Sequence, residues 1–218
     1  MAGKKRSAGL LLIATLVVLL CLGLVLFRGY WWHALGGPLP AGAQGPEAVI
    51  ENYGDEILSE ARRYRISPEY LAALCLLECG GRKPAPERYE KHVYARLKMV
   101  QLGLRNNYEH VKRSHLKDAG DEALQNLASS WGPFQLMGYK CLLYDINIQQ
   151  LRGQESVHWG VKWITENYGS YLKKGDYKSA FHIHNCGTPW PANNKPRTHD
   201  PKYAENGLKW MNWFKGKL

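Results

Sequence analysis

From Tyr70 to Leu77 apolar residues wrap a helical segment on nearly every side: Tyr70, Leu71, Leu74, Cys75 and Leu77 recur at helical spacing. A helix with no polar face belongs in a core. Its ends are signalled too, because Ser67 is a good N-cap, Pro68 fits the first helical position, and Gly80-Gly81 supplies left-handed residues to stop it. Before it, Val49, Ile50, Tyr53, Ile57, Leu58, Ala61 and Tyr64 keep one apolar face, which predicts an amphipathic helix over residues 47–65. Tyr89, Val93, Leu97, Val100 and Leu104 predict another over 89–104. Further helices are expected over 156–173, 176–184 and 200–215, the last opened by Asp200-Pro201 as cap and first position. Sustained strand-type alternation and fixed-period repeats are absent. The expected fold class is therefore all-α, with loops near 81–88, 116–120, 138–155 and 186–199.

The N-terminus follows a different pattern. Ala8 to Phe27 runs without a charge and is long enough, at about 1.5 Å per residue, to cross a bilayer core. Lys4, Lys5 and Arg6 precede it and only Arg28 directly follows, so residues 1–7 are expected in the cytoplasm and the remainder outside. The rival reading is a cleaved signal peptide. Its apolar region is usually shorter, and the small-x-small site Ala41-Gly42-Ala43 lies far downstream. Residues 28–45, rich in Gly, Pro and Ala, form a linker, and 46–218 one soluble domain. The expected location is a membrane spanned once through residues 8–27, with the domain on its outer side.

The chain of 218 residues carries a formal charge of +10, of which the four basic residues flanking the apolar run leave +6 for the rest. Such a surplus suits a polyanionic partner without choosing one. Nucleic acid is not expected, since no recognised binding motif is present. The run from Arg105 to Lys117 is most simply a solvated face, with contact to an anionic polymer as the alternative.

Glu78 is the anomaly in the buried helix. A lone carboxylate there loses solvation and sits at the carbonyl end of the helix dipole, and both effects disfavour the anion. A carboxylic acid held protonated near neutral pH is what a general acid needs. The alternative from these residues alone is a side chain turned to solvent at a frayed helix end.

Three further motifs accompany Glu78-Cys79-Gly80-Gly81. They are Arg88-Tyr89-Glu90, then Ser129-Ser130-Trp131-Gly132-Pro133-Phe134-Gln135, then His182-Ile183-His184-Asn185-Cys186-Gly187. In order and spacing they resemble the soluble lytic transglycosylase family, whose domains have a goose-lysozyme-like fold. The resemblance runs from about Ile57 to Met211 and implies a lysozyme-like helical domain behind the membrane helix, held at the bacterial inner membrane through residues 8–27 and facing the periplasm or exterior. It implies Glu78 as the catalytic acid and base, with Glu90, Ser130, Gly132, Phe134, Gln135, His184, Asn185 and Tyr203 around the sugar. Cys79, His184, Cys186 and Pro133 depart from the family's usual Ser, Tyr, Ala and Leu. Two of these departures, Cys79 and Cys186, fall at family positions near each other, which implies a disulfide between them, with buried free thiols as the alternative.

The implied substrate is peptidoglycan, cleaved between N-acetylmuramic acid and N-acetylglucosamine to leave a 1,6-anhydro sugar. Two alternatives stay open: a hydrolytic muramidase using Glu90 to activate water, and a catalytically weak wall-binding or assembly factor. No cofactor is expected. No metal is expected either, because His182, His184, Cys186 and His199 match no zinc pattern. Trp159, Trp163, Trp210 and Trp213 lie at helical spacing and are expected in the core, leaving Trp190 as the better stacking candidate for a sugar.

Overall fold

Helices α1 (Pro46–Tyr64) and α2 (Pro68–Cys79) form where apolar spacing and end signals place them. Ser67 Oγ accepts the Tyr70 amide at 3.1 Å, and Gly80 ends α2 in the left-handed region at φ 65°. A computed structural model describes residues 42–218, which form one compact unit with its own core. The expected cytoplasmic tail (1–7), membrane helix (8–27) and most of the linker lie outside the described residues. Among the described residues no helix is long and apolar enough to cross a membrane.

Strand β1 (Arg88–Tyr89) leads into α3 (Lys91–Gln101), then a hairpin of β2 (Asn107–Tyr108) and β3 (Val111–Lys112). Short helices α4 (Arg113–Leu116) and α5 (Asp121–Leu127) precede β4 (Ser129–Trp131) and β5 (Leu136–Met137). A 3-10 turn (Gly138–Lys140), α6 (Cys141–Tyr144) and α7 (Ile148–Arg152) follow, so the expected loop over 138–155 is largely helical. The chain ends with α8 (Ser156–Lys173), α9 (Tyr177–Cys186) and α10 (Tyr203–Phe214). The described chain is thus mostly helical, as expected, with one small three-stranded antiparallel sheet in the order β1-β4-β5.

Two cores organise these elements. In the larger, α2 is wedged between α1 and α10, while α8 and α9 close the other side. Tyr70, Leu71 and Leu74 are fully buried there against Ile57, Ile164, Phe181 and Phe214. The smaller core gathers Val93, Leu97, Tyr108, Val111, Leu124 and Trp131 beneath α3 and the β2–β3 hairpin. The basic run 105–117 is accordingly a folded lobe, with Tyr108, Val111 and Leu116 turned inward.

Close packing of α9 on α10 depends on Gly207. A Cβ there would meet the Phe181 ring at 2.6 to 2.7 Å, and that ring is itself held by Tyr70 at 4.6 Å between centroids. Gly54, in α1, offers ordinary contact, with the nearest atom 3.8 Å from such a Cβ. Alanine gains about 1 kcal/mol over glycine inside a helix, whereas overpacking costs about 1–3 kcal/mol. We therefore expect Gly54→Ala to raise the denaturant midpoint and Gly207→Ala to lower it, with a net loss at Gly207 of up to about 2 kcal/mol.

Candidate active site

Glu78 lies in the last turn of α2, where the helix emerges from the core, and its side chain is 16% exposed. It faces a polar cleft of about 420 Å³ rather than open solvent. One wall is helical: Leu77 and Glu78 from α2, His184 and Asn185 from the end of α9, and Tyr203 from the first turn of α10. The opposite wall is the small sheet. Its register aligns Arg88 with Ser130 and Ser130 with Met137, and a row across paired strands shares one face. All three of those residues line the cleft. Glu90 completes it as the N-cap of α3, and His199 enters from the loop before α10.

The Tyr203 hydroxyl donates a hydrogen bond to Glu78 Oε1. Burial and the Glu78 charge hold the Tyr203 phenol well above its ordinary range, so it remains a donor. Glu78 Oε2 has no hydrogen-bond partner among the described residues. One oxygen is therefore oriented by the protein and the other is left for a ligand.

His184 stands 3.9 Å from Glu78 Oε1 but bonds elsewhere. Its Nε2 donates to the Phe134 carbonyl at 3.1 Å, which fixes the tautomer, because a carbonyl can only accept. Nδ1 then accepts from the Tyr168 hydroxyl at 2.6 Å, and Tyr70 donates on to Tyr168 at 3.4 Å. Tyr168 departs from helical geometry inside α8, at φ −146°, where it makes these bonds. Burial pushes the His184 imidazole below its ordinary 6.5, outweighing the Glu78 charge and the Phe134 carbonyl, which act in the other direction.

Gln135 sits at φ 49° in the turn joining β4 to β5. Its amide nitrogen donates to Pro86 O at 2.9 Å and Gly132 O at 3.1 Å, while Oε1 accepts from Ser130 Oγ at 2.7 Å. Both donors are therefore spent on backbone, and only the second lone pair of Oε1 remains for a ligand. Gln135 straps the 82–87 segment to the sheet as well as lining the cleft. Asn185 is exposed, and its side chain makes no hydrogen bond among the described residues. Glu90 is engaged at both oxygens, by Arg88 Nε at 2.9 Å and His92 Nδ1 at 3.4 Å.

Of the residues expected around the sugar, Glu78, Glu90, Ser130, Gln135, His184, Asn185 and Tyr203 come together in this cleft. Gly132 and the Phe134 ring do not. Gly132 lines a separate pocket of about 320 Å³ with Tyr53 and Arg152, and its φ of 72° makes the β4–β5 turn. The Phe134 ring is buried against Gly160, so only its carbonyl reaches the site, through His184. Trp190 packs on the core edge, with His182 at 5.6 Å and Lys178 Nζ 3.8 Å from its ring, and is not among the cleft residues.

The expected Cys79–Cys186 disulfide is corrected. The four described cysteines are free, and Cys79 Sγ faces Cys75 Sγ at 3.7 Å, one helical turn away. Cys186 instead turns back on its own helix, 3.2 Å from the His182 carbonyl. Burial raises Cys75, which keeps its proton and donates toward Cys79, lowering the latter. Among the described residues no cluster of ligating side chains is arranged for a metal.

Arg88, Met137 and His199 join the cleft without having been singled out as site residues. Arg88 and its partner Glu90 were visible in one motif, and Met137 follows Gln135 by two positions. His199 carries no sequence signal beyond its place before Asp200-Pro201.

The chain matches no protein-family model, no curated protein and no solved structure.

Proposed function

We propose that this protein is a membrane-anchored lytic transglycosylase acting on peptidoglycan, with a lysozyme-like domain and Glu78 as its single acid and base. The observation that carries the reading is the Glu78 carboxylate: half-buried at the end of a core helix, with one oxygen held by Tyr203 and the other facing a polar cleft. In the protonated state Glu78 gives its proton to the glycosidic oxygen as the bond to the muramic acid anomeric carbon breaks. The resulting carboxylate then takes the proton of the muramic acid 6-hydroxyl, whose oxygen closes on that carbon. Atoms balance without water, and the acid is regenerated.

A single carboxylate suffices because the substrate's own N-acetyl group can stabilise the cationic centre, as in substrate-assisted glycosidases. Glu90 is less suited to activate water, since Arg88 Nε and His92 Nδ1 stand at its two oxygens and hold the side chain in one orientation. Asn185 on the Glu78 side, and the free lone pair of Gln135 with the Ser130 hydroxyl on the sheet side, give the cleft polar groups for sugar hydroxyls and acetamides. The proposed anchor is the apolar run 8–27, which would hold the domain on the outer side of the inner membrane.

The test is product analysis. Purified peptidoglycan incubated with the protein is expected to release fragments ending in anhydro-muramic acid, each lighter by one water than the hydrolytic product. Reducing ends would instead identify a muramidase and redirect attention to Glu90. Binding with no release would favour the assembly factor.

A further inference from the structure

The lobe beyond the cleft combines two features that a solvated face does not need. Residues 91–117 hold seven Lys and Arg against one acidic residue, Glu109, which equals the whole +6 surplus left outside the N-terminal segment. At the tip of this lobe the chain turns sharply after α3, with the Leu104 and Arg105 amides both bonded back to the Met99 carbonyl, at 2.9 and 3.2 Å. That turn thrusts Met99, Leu102 and Leu104 outward at 43, 58 and 71% exposure, and the two leucines are the most exposed large hydrophobic residues among those described.

Arginines ring the tip. Arg113 packs beside Gly103, with its guanidinium 3.4 Å from where a Cβ would stand. Arg96 and Arg105 each lie 5.5 Å from the Tyr108 ring, fixed against the lobe's own core. None of the three takes part in an ion pair among the described residues, whereas Lys98 is paired with Asp121 at 2.9 Å. Apolar side chains projecting between unneutralised guanidinium groups complement the boundary between phospholipid headgroups and acyl chains. A hydrophilic wall polymer or nucleic acid would leave Leu102 and Leu104 without a partner.

We propose that this tip is a membrane-docking surface for an anionic phospholipid bilayer, with Leu102 and Leu104 entering the interface and Arg96, Arg105 and Arg113 binding headgroup phosphates. The proposal does not depend on the chemistry assigned to Glu78. It has a consequence for the cleft, since Glu90 caps the near end of α3 and the tip lies at its far end. Eleven residues of helix span about 16 Å, so docking would hold Glu90 within roughly that distance of the docked tip.

Hydrogen exchange on the full chain tests this, in nanodiscs of pure phosphatidylcholine and in discs containing phosphatidylglycerol. A basic side chain near an anionic leaflet strengthens binding about fivefold. Three of them, with two inserted leucines, are expected to slow exchange across residues 102–112 about tenfold or more in the anionic discs alone. The slowing should be lost in Leu102→Ser/Leu104→Ser and in Arg105→Glu/Arg113→Glu. Equal exchange in both kinds of disc would overturn the proposal. So would soluble polyphosphate slowing the same amides as strongly as the anionic discs, with the slowing retained in Leu102→Ser/Leu104→Ser in both cases; that pattern would mark a polyanion site instead.

Discussion

Replacing Glu78 with Gln is expected to reduce peptidoglycan cleavage by about a thousandfold or more, the range that loss of a positioned general acid and base produces. Gln keeps the shape of the side chain, and its carbonyl can still accept from the Tyr203 hydroxyl. The helix around it is otherwise unchanged, so stability should stay within about 1 kcal/mol of wild type. What the amide lacks is a transferable proton. The check is the rate of soluble muropeptide release together with a denaturant melt on the same preparation. Residual activity within tenfold of wild type, in a folded protein, would remove Glu78 from the centre of the chemistry. Loss of activity accompanied by an equal loss of binding would point to a recognition role.

Much of this site was legible because it is built at the ends of elements that declare themselves locally. The segment from Ser67 to Gly81 carries its own N-cap, its own stop and an apolar surface, so the place of Glu78 follows without any knowledge of its neighbours. Long helices such as α1 and α8 were visible for the same reason. Helices α5, α6 and α7 were not, because four to seven residues hold too few turns to establish a period. Residues 88–90 show the other limit. Their apolar and polar pattern suits the start of a helix, yet Arg88 and Tyr89 pair with Ser130 and Ser129 from a distant part of the chain. A non-local strand partner overrides the local preference, and α3 begins only at Lys91.

The end of the domain shifts in a similar way. Asp200-Pro201 does shape the approach to α10, but as a turn: Asp200 Oδ1 accepts from the Lys202 amide at 2.8 Å, and the helix opens at Tyr203. That places Tyr203 in the first turn, with its hydroxyl on Glu78. Which way a cysteine turns was harder to foresee from a family position than from helix geometry. Cys75 and Cys79 are four residues apart on one helix and so share a face. The spending of both Gln135 donors on Pro86 and Gly132 had no sequence signal, because it depends on where the 82–87 segment crosses the sheet.

Changing His184 to Phe should cost about 2–4 kcal/mol in stability at neutral pH, with a pH signature that a simple packing defect lacks. The ring would fit the space beside Trp163, yet the Tyr168 hydroxyl and the Phe134 carbonyl would each lose a buried partner. The sign of the pH effect follows from burial, which lowers the imidazole's affinity for protons in the folded state below that of the unfolded chain. Below the ordinary value of 6.5, the unfolded chain binds the proton first, so the wild type loses stability as pH falls, by up to about 1.4 kcal/mol per pH unit. The loss ends once the folded-state value is passed. The Phe variant has nothing to titrate at this position. Its deficit relative to wild type is therefore expected to be widest above pH 6.5 and to narrow on acidification, as measured by urea midpoints across that range. A deficit constant with pH would mean that His184 acts only by filling space. A deficit that widens in acid would mean that the Glu78 carboxylate, 3.9 Å away, dominates and that the imidazolium is the favoured form.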